Sequence, residues 1–228
     1  MGVVSKFAVP TLTVLLAVWP AAADDVTVYV HFTKRLTKKA VAPLVYGLRG
    51  TPPAAHEGIE PPINELDRTV VMLVSKNAAP GPPQTITIEQ RNSHFEPDLA
   101  IVPVGSTVDF PNFDAIFHNV FSLSSAHPFD LGFYPKSKSK SEKFDRAGVV
   151  QVYCRIHANM YAAIVVTDSP WYGRPGEDGT VLLKGVPAGH YKAEAWHKVA
   201  GLYKVDVDVP AVGMTQVHIH VPLTEERR

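Results

Sequence analysis

The sequence has little cysteine, no net charge and few long apolar segments. Cys154 is the only cysteine among 228 residues, so no disulfide can form within the chain. The 22 basic and 22 acidic residues balance, which gives no reason to expect a nucleic acid as a partner. After the N-terminus no segment approaches the roughly 20 apolar residues of a membrane span. We therefore expect no integral membrane segment in the mature chain.

The N-terminus has the pattern of a secretory signal peptide. Lys6 supplies a short positive region, residues 7–19 are mostly apolar, and three alanines precede the first acidic residues. Pro10 and the shortness of the apolar run disfavour an uncleaved anchor. These features predict a signal peptide over residues 1–23, cleavage near Ala23, and a periplasmic or otherwise secreted protein. In an oxidising compartment a lone thiol is a liability unless it is buried or holds a metal.

Amphipathic helical periodicity is also scarce, and short alternating or β-branched runs take its place. Examples are VTVYVHF, TVVMLVS, VVQVYC, AAIVVTD and TQVHIHV, and turns rich in proline and glycine separate such runs. This pattern predicts an all-β protein built from sandwiches.

Two proline-rich breaks, residues 77–84 and 168–179, divide the chain after the signal peptide. They give an N-terminal β segment over residues 24–83, a middle domain over 84–168 and a C-terminal β-sandwich segment over 169–228. Neither outer part has enough strands to close a sandwich comfortably alone. We expect the outer parts to fold together, with the middle domain inserted between them.

Cys154 belongs to a dense group of potential metal ligands. In VVQVYCRIHANMYAAIVV, His157 follows the cysteine after three positions and Met160 follows after six. If VVQVYC is a strand, Cys154 lies at its end on the core side, and the next loop returns both side chains toward the sulfur. A fourth ligand must come from elsewhere, and His118, 36 residues earlier, is the candidate.

One thiolate, two imidazoles and a thioether favour copper. Two histidines and a cysteine with a weak axial methionine are the blue-copper set, whereas zinc prefers a harder fourth ligand. Covalent haem attachment requires a CxxCH run, which is absent. Two other hypotheses are a buried structural cysteine and a catalytic Cys–His pair, but no helix N-terminus is predicted that would lower the thiol pKa.

Residues 84–168 resemble the cupredoxins, the family of plastocyanin, pseudoazurin and amicyanin. The resemblance rests on NSHFEPDLAIVPVGSTVDFPNFDAIFHNV, on SEKFDRAGVVQVYC and on the tight Cys-x2-His-x2-Met loop, which is most similar to that of amicyanin. It implies a Greek-key sandwich with one type 1 copper held at one end by His118, Cys154, His157 and Met160. It also implies that Asn119 ties the two ligand loops together.

The resemblance implies that the protein carries single electrons between redox partners and is not an enzyme. His157 would be the electron port, and Ile156, Met160 and Tyr161 would form an apolar rim for transient docking of a redox protein. The alternative is a copper-binding or copper-delivery protein whose metal is cargo. Lys136, Lys138 and Lys140 would share one strand face, either protecting a sheet edge or docking an acidic partner.

The C-terminal part has a weaker resemblance. EDGTVLLKGVPAGHYKAEAWHKVAG is similar to transthyretin-like, carboxypeptidase-regulatory β-sandwiches. The order of the two modules resembles exported proteins of the methylamine-utilisation type. His218 and His220 share one strand face, which leaves two interpretations open: a second metal site or solvent-facing decoration.

Overall fold

The computed structural model describes residues 23–33, 64–76 and 78–223. All of the predicted signal peptide except Ala23 lies outside these residues, as does most of the predicted N-terminal β segment between 34 and 63. The described part contains strands, turns and one 3-10 helix, Glu65–Arg68, and it has no α-helix. The predicted all-β class is therefore confirmed.

The strands alternate with short turns along the whole described chain. They are β1 (Ala23–Phe32), β2 (Thr69–Val74), β3 (Thr85–Thr87), β4 (Glu89–Arg91), β5 (His94–Glu96), β6 (Leu99–Pro103), β7 (Ser106–Pro111), β8 (His118–Ser122), β9 (Phe129–Tyr134), β10 (Ser139–Phe144), β11 (Gly148–Tyr153), β12 (Tyr161–Thr167), β13 (Tyr172–Gly173), β14 (Thr180–Pro187), β15 (Gly189–His197), β16 (Gly201–Val209) and β17 (Thr215–Val221).

The first two strands pair with strands from the C-terminal part of the chain. One sheet has the order β14-β1-β17, and a second has the order β13-β2-β15-β16. Alternate apolar residues of the two sheets form one buried core, which includes Val28, Leu73, Ala195 and Ile219. We call this unit the terminal sandwich. The exact domain boundaries stay a prediction.

Strands β3 to β12 form a second unit, which we call the middle sandwich. A sheet of order β10-β7-β3 faces a sheet of order β6-β12-β11-β8-β9, and the β4-β5 hairpin lies beside them. Phe110, Phe144, Val152 and Ile164 are fully buried between the sheets. This core holds the ends of β8 and β11, where the candidate ligands lie.

The two sandwiches share a buried apolar contact. Strands β2 and β12 are buried on both faces because each borders a sandwich core on one side and the neighbouring sandwich on the other. The contact cluster consists of Val70, Met72 and Trp196 on the terminal side and Leu99, Ala163 and Val165 on the middle side. The chain thus stacks its sheets in four layers.

The prediction that Lys136, Lys138 and Lys140 share one strand face is wrong, because only Lys140 lies in a strand. Lys136 and Lys138 precede β10, in a turn where Ser137 has a φ of 63°, so they share no strand face with Lys140. Lys140 is partly buried, donates to the carbonyl of Leu131 and lies 5.3 Å from the Tyr134 ring centroid. Strand β10 is nevertheless an edge strand of its sheet.

Within the described residues, no helix has the length and hydropathy needed to span a membrane.

Candidate metal centre

Strands β8 and β11 bring together side chains that are 36 residues apart in sequence. His118 is the first residue of β8, and Cys154 directly follows the last residue of β11. The two strands are neighbours in the five-stranded sheet, so these ends lie side by side. The loop at 155–160, which we call the ligand loop, returns the chain from β11 to β12.

Three donor atoms converge at this end of the middle sandwich. The Cys154 Sγ lies 3.9 Å from His118 Nδ1 and 3.7 Å from His157 Nδ1. One donor atom from each of the three residues lies within 4.8 Å of the other two. Such spacing leaves room for one ion between them, since metal–sulfur and metal–nitrogen bonds are about 2.0–2.3 Å long.

Burial differs among the four predicted ligands. His118 and Met160 are fully buried, Cys154 is 6% exposed, and His157 is partly exposed. Val150 and Val152 share the buried face with Cys154, as the period of two predicts. The centre therefore reaches solvent at His157.

The ligand loop is held as a tight turn. The backbone N–H of Met160 donates to the carbonyl of His157 at 3.0 Å, and the N–H of Cys154 donates to the carbonyl of Met160 at 3.3 Å. Met160 packs in the same core cluster as Cys154. Because Met160 is fully buried, it is not part of any exposed rim.

Asp114 orients His118 from the side opposite the cysteine. Its Oδ2 accepts a hydrogen bond from His118 Nε2 at 2.8 Å. This bond places the ring proton on Nε2 and leaves the Nδ1 lone pair directed at the Cys154 and His157 donors. The tautomer of His118 is thereby matched to metal binding.

A network of hydrogen bonds holds the Asp114 carboxylate itself. The backbone N–H groups of Asn92 and Ser93 donate to it at 2.7 and 2.8 Å. Burial alone would raise the pKa of Asp114, but the hydrogen bonds from Ser93, His118 and Asn92 outweigh burial and hold that pKa below its usual value. Asp114 therefore remains an anion that accepts from His118.

Asn112 shapes the loop that leads into His118. Its side-chain amide donates to the carbonyls of Ile116 and Tyr134 at 2.9 and 3.1 Å, and its Oδ1 accepts from the N–H of Asp114 at 2.9 Å. Asn112 is fully buried, so these bonds satisfy a side chain that could not reach water. The loop is thus fixed before His118 begins β8.

Asn119 connects to the ligand loop through an intermediate residue. Its amide donates to Asp130 at 2.7 Å, and Asp130 pairs with Arg155 of the ligand loop at 2.8 Å. The hydrogen bond from Arg155, followed by those from Gly132 and Asn119, lowers the pKa of Asp130 to about 2. The Arg155 guanidinium also lies 4.6 Å from the Phe121 ring centroid. That Asn119 ties the two ligand loops together stays a prediction, and Asp130 and Arg155 are the residues through which it would do so.

Exposed apolar side chains lie in the two loops that carry the donor residues. Phe113, Ile116 and Phe117 precede His118 in the loop, and Ile156 precedes His157; their exposed fractions are 41%, 46%, 55% and 53%. We call these four residues the apolar rim. Tyr161, the other residue predicted for docking, is partly buried beside the contact cluster and lies under the Lys198 ammonium.

Sequence reasoning missed Asn112, Asp114 and the three rim residues before His118. The run NFDAIFH contained a signal, because Asp114 lies four positions before His118 and a carboxylate can hold the ring of a ligating histidine. Asn112 supplies an amide at the start of the same run. The other half of the Asp114 network comes from the β4-β5 turn, whose proximity no local pattern indicates.

Comparisons with known proteins found structural similarity only. No protein-family model matches the sequence, and no curated protein gives a significant match. A Cu(I) form of an amicyanin mutant is 21% identical and has a TM-score of 0.34, over 42% of this chain and 99% of that chain. A purple cupredoxin from Nitrosopumilus maritimus is 22% identical, with a TM-score of 0.31 over 38% of this chain and all of that chain.

A copper-containing nitrite reductase from Thermus scotoductus SA-01 is also similar. It is 24% identical and has a TM-score of 0.36, but the match covers only 41% of this chain and 25% of that enzyme. The expectation that the protein is not an enzyme is corrected by this finding. The similar structures include an enzyme, so resemblance to this fold gives no ground for excluding catalysis.

Proposed function

We propose that the protein binds one copper ion at this centre and carries single electrons between redox partners. The observation that supports the proposal most strongly is the convergence of Cys154 Sγ with one ring nitrogen each of His118 and His157, all within 4.8 Å of one another. Copper bound there would alternate between Cu(II) and Cu(I), accepting one electron from a reduced partner and giving it to an oxidised one.

The donor set fits copper better than other common metals. Cys154 offers a soft thiolate, His118 and His157 offer two imidazole nitrogens, and Met160 offers a weak thioether from the core side. Within the described residues this is the one group of three or more histidine, cysteine or acidic side chains whose donor atoms already lie within 4.8 Å of one another, without any side chain having to turn. The near-trigonal set of two histidines and a cysteine is the type 1 pattern.

The protein's own residues would keep this centre rigid. Asp114 fixes the His118 ring, Asn112 fixes the loop before it, and the Asn119–Asp130–Arg155 chain restrains the ligand loop. Donors held by such surroundings move little when the charge at the centre changes. A small rearrangement favours rapid electron exchange.

The apolar rim would support transient docking around His157. Its four exposed side chains lie in the loops that carry His118 and His157, and apolar contact there would exclude water when a redox protein binds. Ile156 is exposed and fits this role, whereas Tyr161 is only partly exposed and offers less surface to a partner. We also propose export after cleavage near Ala23 and a transthyretin-like β-sandwich for the C-terminal segment at 169–228.

The experiment replaces the thiolate. Purified wild-type protein with Cu(II) is expected to show an intense visible thiolate–copper band, and Cys154→Ser is expected to abolish it while the fold remains, as measured by circular dichroism. His127→Asn is a matched control, because His127 lies in the middle sandwich and pairs with Glu142 rather than with the centre. A band that survives in Cys154→Ser would sink the assignment.

A second measurement separates the electron carrier from a copper-delivery protein. A carrier retains its metal through repeated oxidation and reduction, and its visible band returns fully in each cycle. If the reduced protein instead transferred its Cu(I) readily to an acceptor chelator, delivery would replace electron transfer as the function.

A further inference from the structure

Three histidines meet on the outer face of the terminal sandwich. Strands β1 and β17 are parallel neighbours, with Tyr29 opposite His218 and His31 opposite His220. Alternation directs the intervening valines and isoleucine of both strands into the core and leaves these rings on the outer face. We call His31, His218 and His220 the histidine cluster.

The rings of the cluster are in direct contact. His31 Nε2 lies 2.8 Å from His218 Nδ1, and the His31 ring centroid is 5.1 Å from that of His218 and 5.0 Å from that of His220. Tyr29 stacks on His218 at 4.7 Å and closes one end of the row. Three imidazoles are thus confined to one small surface.

The surroundings leave these rings available for a ligand. His218 and His220 are exposed and His31 is partly exposed, so solvent and a dissolved ion can reach the rings. Among the residues that the structure describes, no carboxylate lies within 4 Å of the three rings to compete for their nitrogens. Three imidazoles side by side are a set of nitrogen donors.

We propose that His31, His218 and His220 form a second metal site that binds a divalent first-row ion, Cu(II) more tightly than Zn(II). Imidazole nitrogen suits both ions, and affinity rises from Zn(II) to Cu(II) for a given set of donors. Two nitrogens bound about 2.0 Å from one ion at right angles are about 2.8 Å apart. His31 Nε2 and His218 Nδ1 are this far apart in an N–H···N hydrogen bond, so the ion would replace the proton between them, and the adjacent His220 ring would turn to supply a third nitrogen.

This site is independent of the proposed electron-carrying centre. It lies in the terminal sandwich, on β1 and β17, whereas His118, Cys154 and His157 lie in the middle sandwich. It contains no thiolate, so Cu(II) bound to it gives no intense visible band. The two sites can therefore be counted separately in one sample.

The test titrates the untagged chain with Cu(II) alone. Isothermal titration calorimetry is expected to show two equivalents, and the visible band is expected to saturate after one of them. The other equivalent is expected to give a tetragonal Cu(II) signal with nitrogen hyperfine coupling in electron paramagnetic resonance. A wild-type chain that binds no Cu(II) outside the thiolate centre overturns the proposal.

The decisive variant is His31→Asn combined with His220→Asn. It is expected to lose the tetragonal signal and one equivalent while keeping the visible band, which also reports that the chain is folded. The matched control, His94→Asn with His190→Asn, removes two other exposed histidines and should still bind two equivalents. Retention of the tetragonal equivalent by the cluster variant overturns the proposal.

Failure of the two proposals can be distinguished. If the visible band is absent from wild type but one tetragonal equivalent is bound and lost in the cluster variant, the second site stands without the first. Should the double variant not fold, the single His220→Asn variant at an exposed position replaces it and is expected to bind the tetragonal equivalent more weakly. Unchanged binding in that variant contradicts the site.

Discussion

Asp114 gives His118 its orientation, and four groups hold Asp114 in place, three at its carboxylate and one at its backbone N–H. His118, Asn92 and Ser93 donate to the side chain, while Asn112 accepts from its backbone N–H. A hydrogen bond to the remote nitrogen of a ligating imidazole fixes the ring and raises its basicity as a ligand. The effect of Asp114 should therefore appear in metal binding more than in folding.

Substituting Asp114→Asn tests this role. The amide keeps the size of the side chain but removes the charge that accepts from His118 Nε2, so we expect copper affinity to fall roughly 10–100-fold. Competition with a Cu(I) chelator measures the affinity, and the reduction potential is expected to shift with it. Asp109→Asn is the matched control. Asp109 lies on β7, which precedes the Asp114 loop, and its substitution should leave the affinity and the potential unchanged. Equal affinities for Asp114→Asn and wild type would contradict the positioning role.

The metal-ligand residues could be predicted from the sequence, whereas the residues that hold them by hydrogen bonds could not. His118, Cys154 and His157 were predicted because thiolate and imidazole are informative residue types at short, regular spacing, and the structure brings their donor atoms together. Asp114 was not predicted because its function depends on the Asn92–Ser93 turn, more than 20 residues away. His31 meets His218 across 187 residues through a parallel pairing that local alternation does not reveal.

At the scale of elements, the 3-10 helix Glu65–Arg68 is fastened to the end of β15. His197 donates from Nε2 to the Glu65 carboxylate at 3.1 Å, and its Nδ1 accepts from the N–H groups of Val199 and Ala200. His197 is fully buried and Glu65 is 5% exposed. The ring must stay neutral to accept at Nδ1, so this fastening depends on pH.

We expect stability to fall on acidification because of His197. Burial, the largest effect, and the charge of Arg68 lower the pKa of His197, although Glu65 opposes them. The unfolded side chain titrates near a pKa of about 6.5, so below that pH the unfolded chain binds more protons than the folded one. The stabilisation is therefore complete above about pH 6.5 and is lost as the pH falls toward the lower folded pKa.

Urea unfolding at about pH 7.5 and about pH 5.5 measures this effect. His197→Gln cannot titrate, so its loss of stability between the two pH values should be smaller than that of wild type. His190→Gln is the control on the same strand, and its side chain is 91% exposed, so it should behave like wild type. Identical pH dependence in His197→Gln and wild type would show that the buried ring does not control acid stability.

The elements that were predicted are those with a clear period of two and a buried face. Runs such as VTVYVHF and TQVHIHV coincide with β1 and β17. Strand β9 was not predicted because Gly132 interrupts its apolar run, and the lysine stripe failed because Lys136 lies before the turn at Ser137 and Lys138 precedes the first residue of β10. Tertiary pairing overrode weak local propensity at these places.

At the scale of the whole molecule, the contact cluster joins two sandwiches that each have their own core. Trp196 of β15 packs with Val70 and Met72 against Leu99 and Val165. Polar links accompany this contact: Ser169 Oγ donates to the Leu73 carbonyl, and Arg174 donates to the Leu99 carbonyl at 3.0 Å. Because the shared surface is apolar and buried, we expect the sandwiches to unfold together.

Trp196→Ala is expected to uncouple them. Removing a side chain that is only 7% exposed should lower the free energy of unfolding by about 3–5 kcal/mol. The contacts removed are those between the two sandwiches, which make unfolding cooperative. Loss of the visible band on heating reports the middle sandwich, and fluorescence of Trp171, which packs on Tyr191, reports the terminal one. The two melting temperatures should coincide in wild type and separate in the variant.

Leu202→Ala, opposite Trp196 on β16 but 45% exposed, is the control and should melt in one step. Coincident, unshifted transitions in Trp196→Ala would mean that the Trp196 side chain is not what couples the two sandwiches.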